Sequence, residues 1–151
     1  MQITQEILLK DKNLTKLIKL ALDEDLNGGD LSSEVLQNSK NVNANFVAKD
    51  NGIIAGLIII PKILKIANKN LKFKALVNEG ANVEKTQIIA KISGNIKDIL
   101  SLERTLLNFV SRISGVATYT NKMVKILEGS KPKIYDTRKT IPGWRILDKY
   151  A

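Results

Sequence analysis

The sequence contains no cysteine and no histidine. The first absence excludes disulfides, thiolate nucleophiles and cysteine-held zinc. The second removes the usual neutral-pH general base and the commonest metal ligand. Any catalysis must therefore rest on lysine, arginine, carboxylates and fixed electrostatics, and no metal-ligating residues are identified. Aromatic residues make up only 5% of the chain. No ribonucleoprotein-type strand, zinc-finger spacing or arginine-rich helix accompanies them, which argues against a nucleic-acid partner. Long apolar runs are missing too: the longest, residues 53–60, is interrupted by Gly56 and falls well short of a membrane span. The opening Met1-Gln2-Ile3-Thr4-Gln5-Glu6 lacks the basic-then-apolar layout of a secretion signal. A soluble, cytoplasmic protein with no membrane partner is expected.

What is present is a globular composition with an excess of positive charge. The 151 residues are 44% hydrophobic and 26% charged, values that fit an ordinary folded domain. The net charge of +9, from 24 basic and 15 acidic residues, draws anions. Lys, Asn and Ile are abundant together, as in AT-rich genomes, so part of the excess reflects codon bias. The rest is not uniform. The last thirty positions hold eight basic residues against three acidic ones, a net of +5, and any anion site is expected there.

Leu14, Leu17, Ile18, Ala21 and Leu22 follow helical spacing, and Asn27-Gly28-Gly29 supplies residues suited to a left-handed C-cap. Asp23, Glu24 and Asp25 crowd the C-terminal turn of that helix, where the dipole disfavours negative charge. Either an exposed acidic turn pairs there with lysines, or the cluster has a role of its own. Phe46 and Ala48 alternate with polar residues, and Asp50-Asn51-Gly52 signals a turn into residues 53–60, which predicts a hairpin. Pro61 opens a helix. Phe73, Ala75 and Val77 alternate, as do Ile88, Ala90 and Ile92, completing an antiparallel sheet with helices on one face. The stretch from Asn78 to Ile92 is similar to the hammerhead turn of lipoyl and biotinyl carriers, but no lysine flanked by methionines marks a carrier. Ser93-Gly94-Asn95 offers N-cap chemistry for a helix with Ile99, Leu102, Leu106, Val110 and Ile113 on one face. Ser114-Gly115 is expected to interrupt it and to act as a hinge before a second helix, which ends at Gly129.

Asp136-Thr137-Arg138-Lys139-Thr140-Ile141 follows a predicted strand over residues 133–137 and runs into Pro142-Gly143. A guanidinium and an ammonium sit side by side where a strand gives way to a turn. Arg offers a planar fork for a carboxylate and Lys a compact charge for a phosphate. Residues 144–150 read as a helix or turn whose Trp144, Ile146 and Leu147 need cover.

Leu20-Ala21-Leu22-Asp23-Glu24-Asp25-Leu26, Gly29-Asp30-Leu31-Ser32-Ser33, Leu102-Glu103-Arg104-Thr105-Leu106-Leu107-Asn108-Phe109, Ser114-Gly115-Val116-Ala117-Thr118 and the Asp136 segment occur in a family-like order. Together they resemble quinolinate phosphoribosyltransferase, the carboxylating nicotinate-nucleotide pyrophosphorylase, from about Leu14 to Ala151. The related ModD-like proteins of molybdenum-transport operons share the Asp136 element and are the alternative, as is a non-catalytic dimerising or binding remnant. The resemblance implies an α+β fold: a hammerhead-like N-terminal α/β sandwich domain over residues 1–114, then a linker helix and the first strand of an incomplete α/β barrel over residues 115–151. It implies conversion of quinolinate and phosphoribosyl pyrophosphate, with Mg2+, to nicotinate mononucleotide, pyrophosphate and CO2 in NAD biosynthesis. In role, Arg138 matches the arginine that contacts quinolinate, Thr137 a substrate-contacting threonine, Lys139 a catalytic lysine near the phosphoribosyl pyrophosphate phosphates, and Arg104 a helix arginine that reaches a neighbouring subunit's site. A homodimer is implied, with no measurable activity expected of 151 residues alone, since family chains are nearly twice as long; a second chain supplying the missing barrel is a further candidate partner.

Overall fold

The computed structural model describes residues 3–26 and 40–151. The predicted cap at Asn27-Gly28-Gly29 and the segment from Gly29 to Ser33 lie outside the described residues. Two helices, α1 (Gln5–Lys10) and α2 (Lys12–Leu26), come first. The Thr4 hydroxyl accepts from the Ile7 amide at 3.3 Å to cap α1, and the Asp11 carboxylate accepts from the Leu14 amide at 2.8 Å where α2 begins. The expected stripe is the buried face of α2: Leu14, Ile18 and Leu22 enter the core.

The main sheet is antiparallel, in the order β1 (Asn41–Val47), β5 (Ile88–Asn95), β3 (Lys72–Ala75). Phe46 pairs with Ala90 and Phe73 with Ile92, and the two rings meet edge to face at 5.9 Å across the central strand. A second, two-stranded ladder joins β2 (Gly52–Ile53) to β4 (Asn82–Val83). The fold is α+β, an antiparallel sheet flanked by helices and not closed into a barrel.

The predicted hairpin does not form. β1 pairs with β5, and residues 53–60 give only the end of β2, a 3-10 turn (Leu57–Ile59) and the start of α3 (Ile60–Ile66), with Pro61 in its first turn. The reason lies in who satisfies the backbone. Ile53 and Ala55 donate their amides to the hydroxyls of Thr118 at 2.8 Å and Ser114 at 3.0 Å, and Ser114 donates back to the Ala55 carbonyl at 3.0 Å. The Glu79 carboxylate then takes the amides of Gly56 at 2.8 Å and Ile58 at 2.7 Å. Gly56 turns the chain at φ +96°, and a Cβ there would stand 2.9 Å from the Ile113 side chain, so only glycine fits.

The predicted break at Ser114-Gly115 is also absent. One helix, α4 (Ile96–Ile126), runs unbroken for 31 residues, capped by the Asn95 side chain accepting from the Lys97 amide at 2.9 Å. Gly115 costs a helix about 1 kcal/mol against alanine, which the buried face from Ile99 through Leu102, Leu106, Phe109, Val110 and Ile113 to Ala117 outweighs. Ser114 and Thr118, four residues apart, share one side of it.

Residues 133–137 are not a strand, because no neighbour among the described residues presents them with a ladder. The apolar tail finds its cover in α5 (Arg145–Tyr150). Leu147 is fully buried, and the Trp144 ring stacks on Phe109 at 5.2 Å. The Arg112 guanidinium lies 5.5 Å over that ring and 3.2 Å from Asp148. Tyr150 donates its hydroxyl to Glu79 at 3.1 Å. Burial, and then the Glu79 charge, raise the Tyr150 phenol above its usual 10.0. A raised acid stabilises the folded state below the unfolded pKa and withdraws that stability as pH climbs beyond it. Urea midpoints should therefore fall above about pH 10, and Tyr150→Phe should flatten that decline; equal slopes for both proteins would contradict the assignment.

Candidate functional site

The segment after α4 is exposed and held at two points. The Lys149 ammonium, on α5, donates to the Asp136 carboxylate and holds that carboxyl below the ordinary carboxylate range. Within the turn, the Thr137 hydroxyl accepts from the Lys139 amide at 3.0 Å, and the Thr140 amide donates to the Arg138 carbonyl at 3.1 Å. A hydroxyl bonded two residues ahead is a turn-forming arrangement. It fixes the backbone while leaving the Arg138 and Lys139 side chains exposed, neither paired with a carboxylate among the described residues. Two uncompensated cations on a held turn can receive an anion.

Arg104 stands apart from this turn. It projects from α4 with its side chain 73% exposed, and its Nη1 lies 3.5 Å from Asp25 at the end of α2. No hydrogen bond or ion pair links it to Thr137, Arg138 or Lys139 among the described residues. Thus three of the four predicted site residues lie together on one turn, and the fourth is paired with Asp25 at the end of α2. A groove of about 770 Å³, bounded by Phe46, Ile54, Val83, Leu107, Val110 and Tyr119, contains none of the four. Among the described residues no cluster of three or more acidic side chains is placed to hold a metal ion. No described helix is long and apolar enough to cross a membrane.

Three contacts around the site were not legible beforehand. Lys149 meets Asp136 only because α5 folds back, and Arg112 meets Asp148 across 36 residues. The Asp25 contact joins α2 to α4, and its only trace in the sequence is an acidic run at an unfavourable helix end.

Family profiles match most of this architecture: the one described as quinolinate phosphoribosyl transferase, N-terminal domain, covers residues 30–114, and its C-terminal counterpart covers residues 116–151. The chain belongs to the quinolinate phosphoribosyltransferase family. Within that family it is 38% identical over 130 residues to a probable carboxylating nicotinate-nucleotide pyrophosphorylase of Synechocystis, covering 86% of this chain and 44% of the relative. A Bacillus subtilis relative described in the same words is 38% identical, with 91% and 48% covered. The solved nicotinate-nucleotide pyrophosphorylase of Francisella tularensis superposes with a TM-score of 0.86 at 33% identity, covering 99% of this chain and 53% of that one. The chain spans about half the length of the relatives it matches.

Proposed function

We propose that these 151 residues are the amino-terminal half of a quinolinate phosphoribosyltransferase. In this reading quinolinate and phosphoribosyl pyrophosphate become nicotinate mononucleotide, pyrophosphate and CO2. The observation that carries it is the held turn, which presents Arg138 and Lys139 side by side, neither paired with a carboxylate among the described residues. The reaction needs concentrated positive charge. Two ring carboxylates must be bound, and negative charge left at the ring carbon on decarboxylation must be stabilised by fixed cations. The Arg138 fork suits a quinolinate carboxylate, the Thr137 side chain contacts the substrate, and Lys139 faces the phosphates and serves as the catalytic cation. Arg104, exposed on α4, contacts substrate in the site of a second subunit of a homodimer. Residues 1–114 form the sandwich domain and 115–151 open the barrel domain, with α4 crossing between them. Magnesium would enter with the pyrophosphate group and neutralise its charge. A cytoplasmic location agrees with this metabolic role.

The test is a chimera in which residues 1–151 are continued by the carboxy-terminal half of the Bacillus subtilis relative. It should release labelled CO2 from quinolinate only when phosphoribosyl pyrophosphate is present. Arg138→Ala should lower kcat/KM by about 10- to 100-fold, the loss of one charge-assisted hydrogen bond. A folded chimera that consumes another acceptor in place of quinolinate would overturn the reading.

A further inference from the structure

Asp25 lies on the last turn of α2, where the helix dipole favours a cation. Its side chain is nevertheless turned inward, 14% exposed. One carboxylate oxygen, Oδ2, accepts from the Thr105 hydroxyl at 2.5 Å, and the other, Oδ1, faces Arg104 Nη1 at 3.5 Å. Thr105 is 1% exposed and is the neighbour of Arg104 on α4. A buried hydroxyl thus fixes the rotation of the carboxylate, and the carboxylate faces one edge of the guanidinium. At 3.5 Å the pair is aligned without forming a short bond. A guanidinium has five donors in a planar fork, so one held nitrogen leaves the rest of the fork for a ligand.

We propose that Asp25, with Thr105 behind it, is the positioning residue that aims Arg104 at a carboxylate-bearing ligand. The inference rests on the reading of Arg104 as a substrate contact. It explains why a carboxylate is kept at a helix end that disfavours it. Two physical effects oppose each other at this pair. The negative charge of Asp25 weakens the attraction of Arg104 for an anion, while its fixed oxygen gives one edge of the fork a direction to face. The substitution Asp25→Asn keeps an acceptor and loses the charge, whereas Asp25→Ala loses both, so the two variants separate the effects.

The experiment follows the Arg104 Nε–Hε signal of the 15N-labelled 151-residue chain by NMR, with phthalate, an aromatic 1,2-dicarboxylate, as the probe. Leu22 methyl signals, one turn back on α2, report whether each variant is folded. In the unmodified chain, phthalate should shift the Arg104 signal. Asp25→Ala should speed solvent exchange at Arg104 and weaken phthalate about tenfold, the equivalent of one charge-assisted contact. Asp25→Asn should recover most of both. Tighter phthalate binding in both variants would mean that Asp25 only neutralises Arg104, and would overturn the proposal. So would a phthalate response and exchange rate unchanged by Asp25→Ala. If phthalate reaches Arg104 neither in the unmodified chain nor in the chimera that completes the site, the substrate-contact reading fails and the proposal fails with it.

Discussion

Chimeras carrying Arg104→Ala and Arg138→Ala, each nearly inactive by itself, should regain CO2 release when mixed and allowed to exchange subunits. The prediction follows from where the two guanidinia stand. Arg138 belongs to the turn held by Lys149 on α5, whereas Arg104 is tied to Asp25 at the end of α2. If one site draws Arg138 from one subunit and Arg104 from the other, a hybrid dimer contains one site with both arginines and one with neither. Random exchange makes half the dimers hybrid, so the mixture should reach roughly a quarter of the rate of the unmodified chimera. Each separate variant, lacking one charge-assisted contact, should retain only about 1 to 10%. The two levels are readily told apart in a single assay. Hybrid dimers verified by mass spectrometry that stay as inactive as their parents would reject the shared site.

A polypeptide of residues 1–151, assayed beside the chimera, should show no turnover. Its two exposed cations, Arg138 and Lys139, can attract a carboxylate or a phosphate, but among the described residues no cluster of three or more acidic side chains stands ready for a metal ion. Fixed electrostatics usually supplies the largest single share of rate enhancement, and it does so only inside a site that excludes water. The turn here is open to solvent. Labelled CO2 release by the 151 residues at an ordinary enzymatic rate, about 1 per second or more, would show that the exposed turn is already a sufficient site.

Features governed by local rules could be read from the sequence. The stripe of α2, the Asn95 cap, the β3 and β5 strands and the Pro61 helix start depend on spacing or on one side chain and its nearest amides. Residues 53–60 failed that reading because their backbone partners are Glu79, Ser114 and Thr118, between 21 and 65 positions away. A β-rich composition could not outweigh hydroxyls and a carboxylate delivered by tertiary structure. Gly115 failed it for the opposite reason, since a local weakness was overridden by the apolar face of the helix that contains it. At the site, Thr137, Arg138 and Lys139 were legible because they are contiguous. The partner of Arg104 was not, because Asp25 reaches it from another helix, its other oxygen bonded to a hydroxyl 80 positions along the chain.

The two hydroxyls of α4 that serve the backbone of residues 53–55 have one more consequence, which concerns insertions and deletions. Ser114 and Thr118 tie the azimuth of the helix to the β2 segment, and Arg104, ten positions earlier, ties it to α2. Adding or removing one residue between them would turn one attachment by about 100° against the other and shift it by about 1.5 Å. Either the hydroxyls would leave the β2 backbone or Arg104 would leave Asp25. Between positions 104 and 114 the chain is therefore free to change its side chains on the solvent face, but not its length.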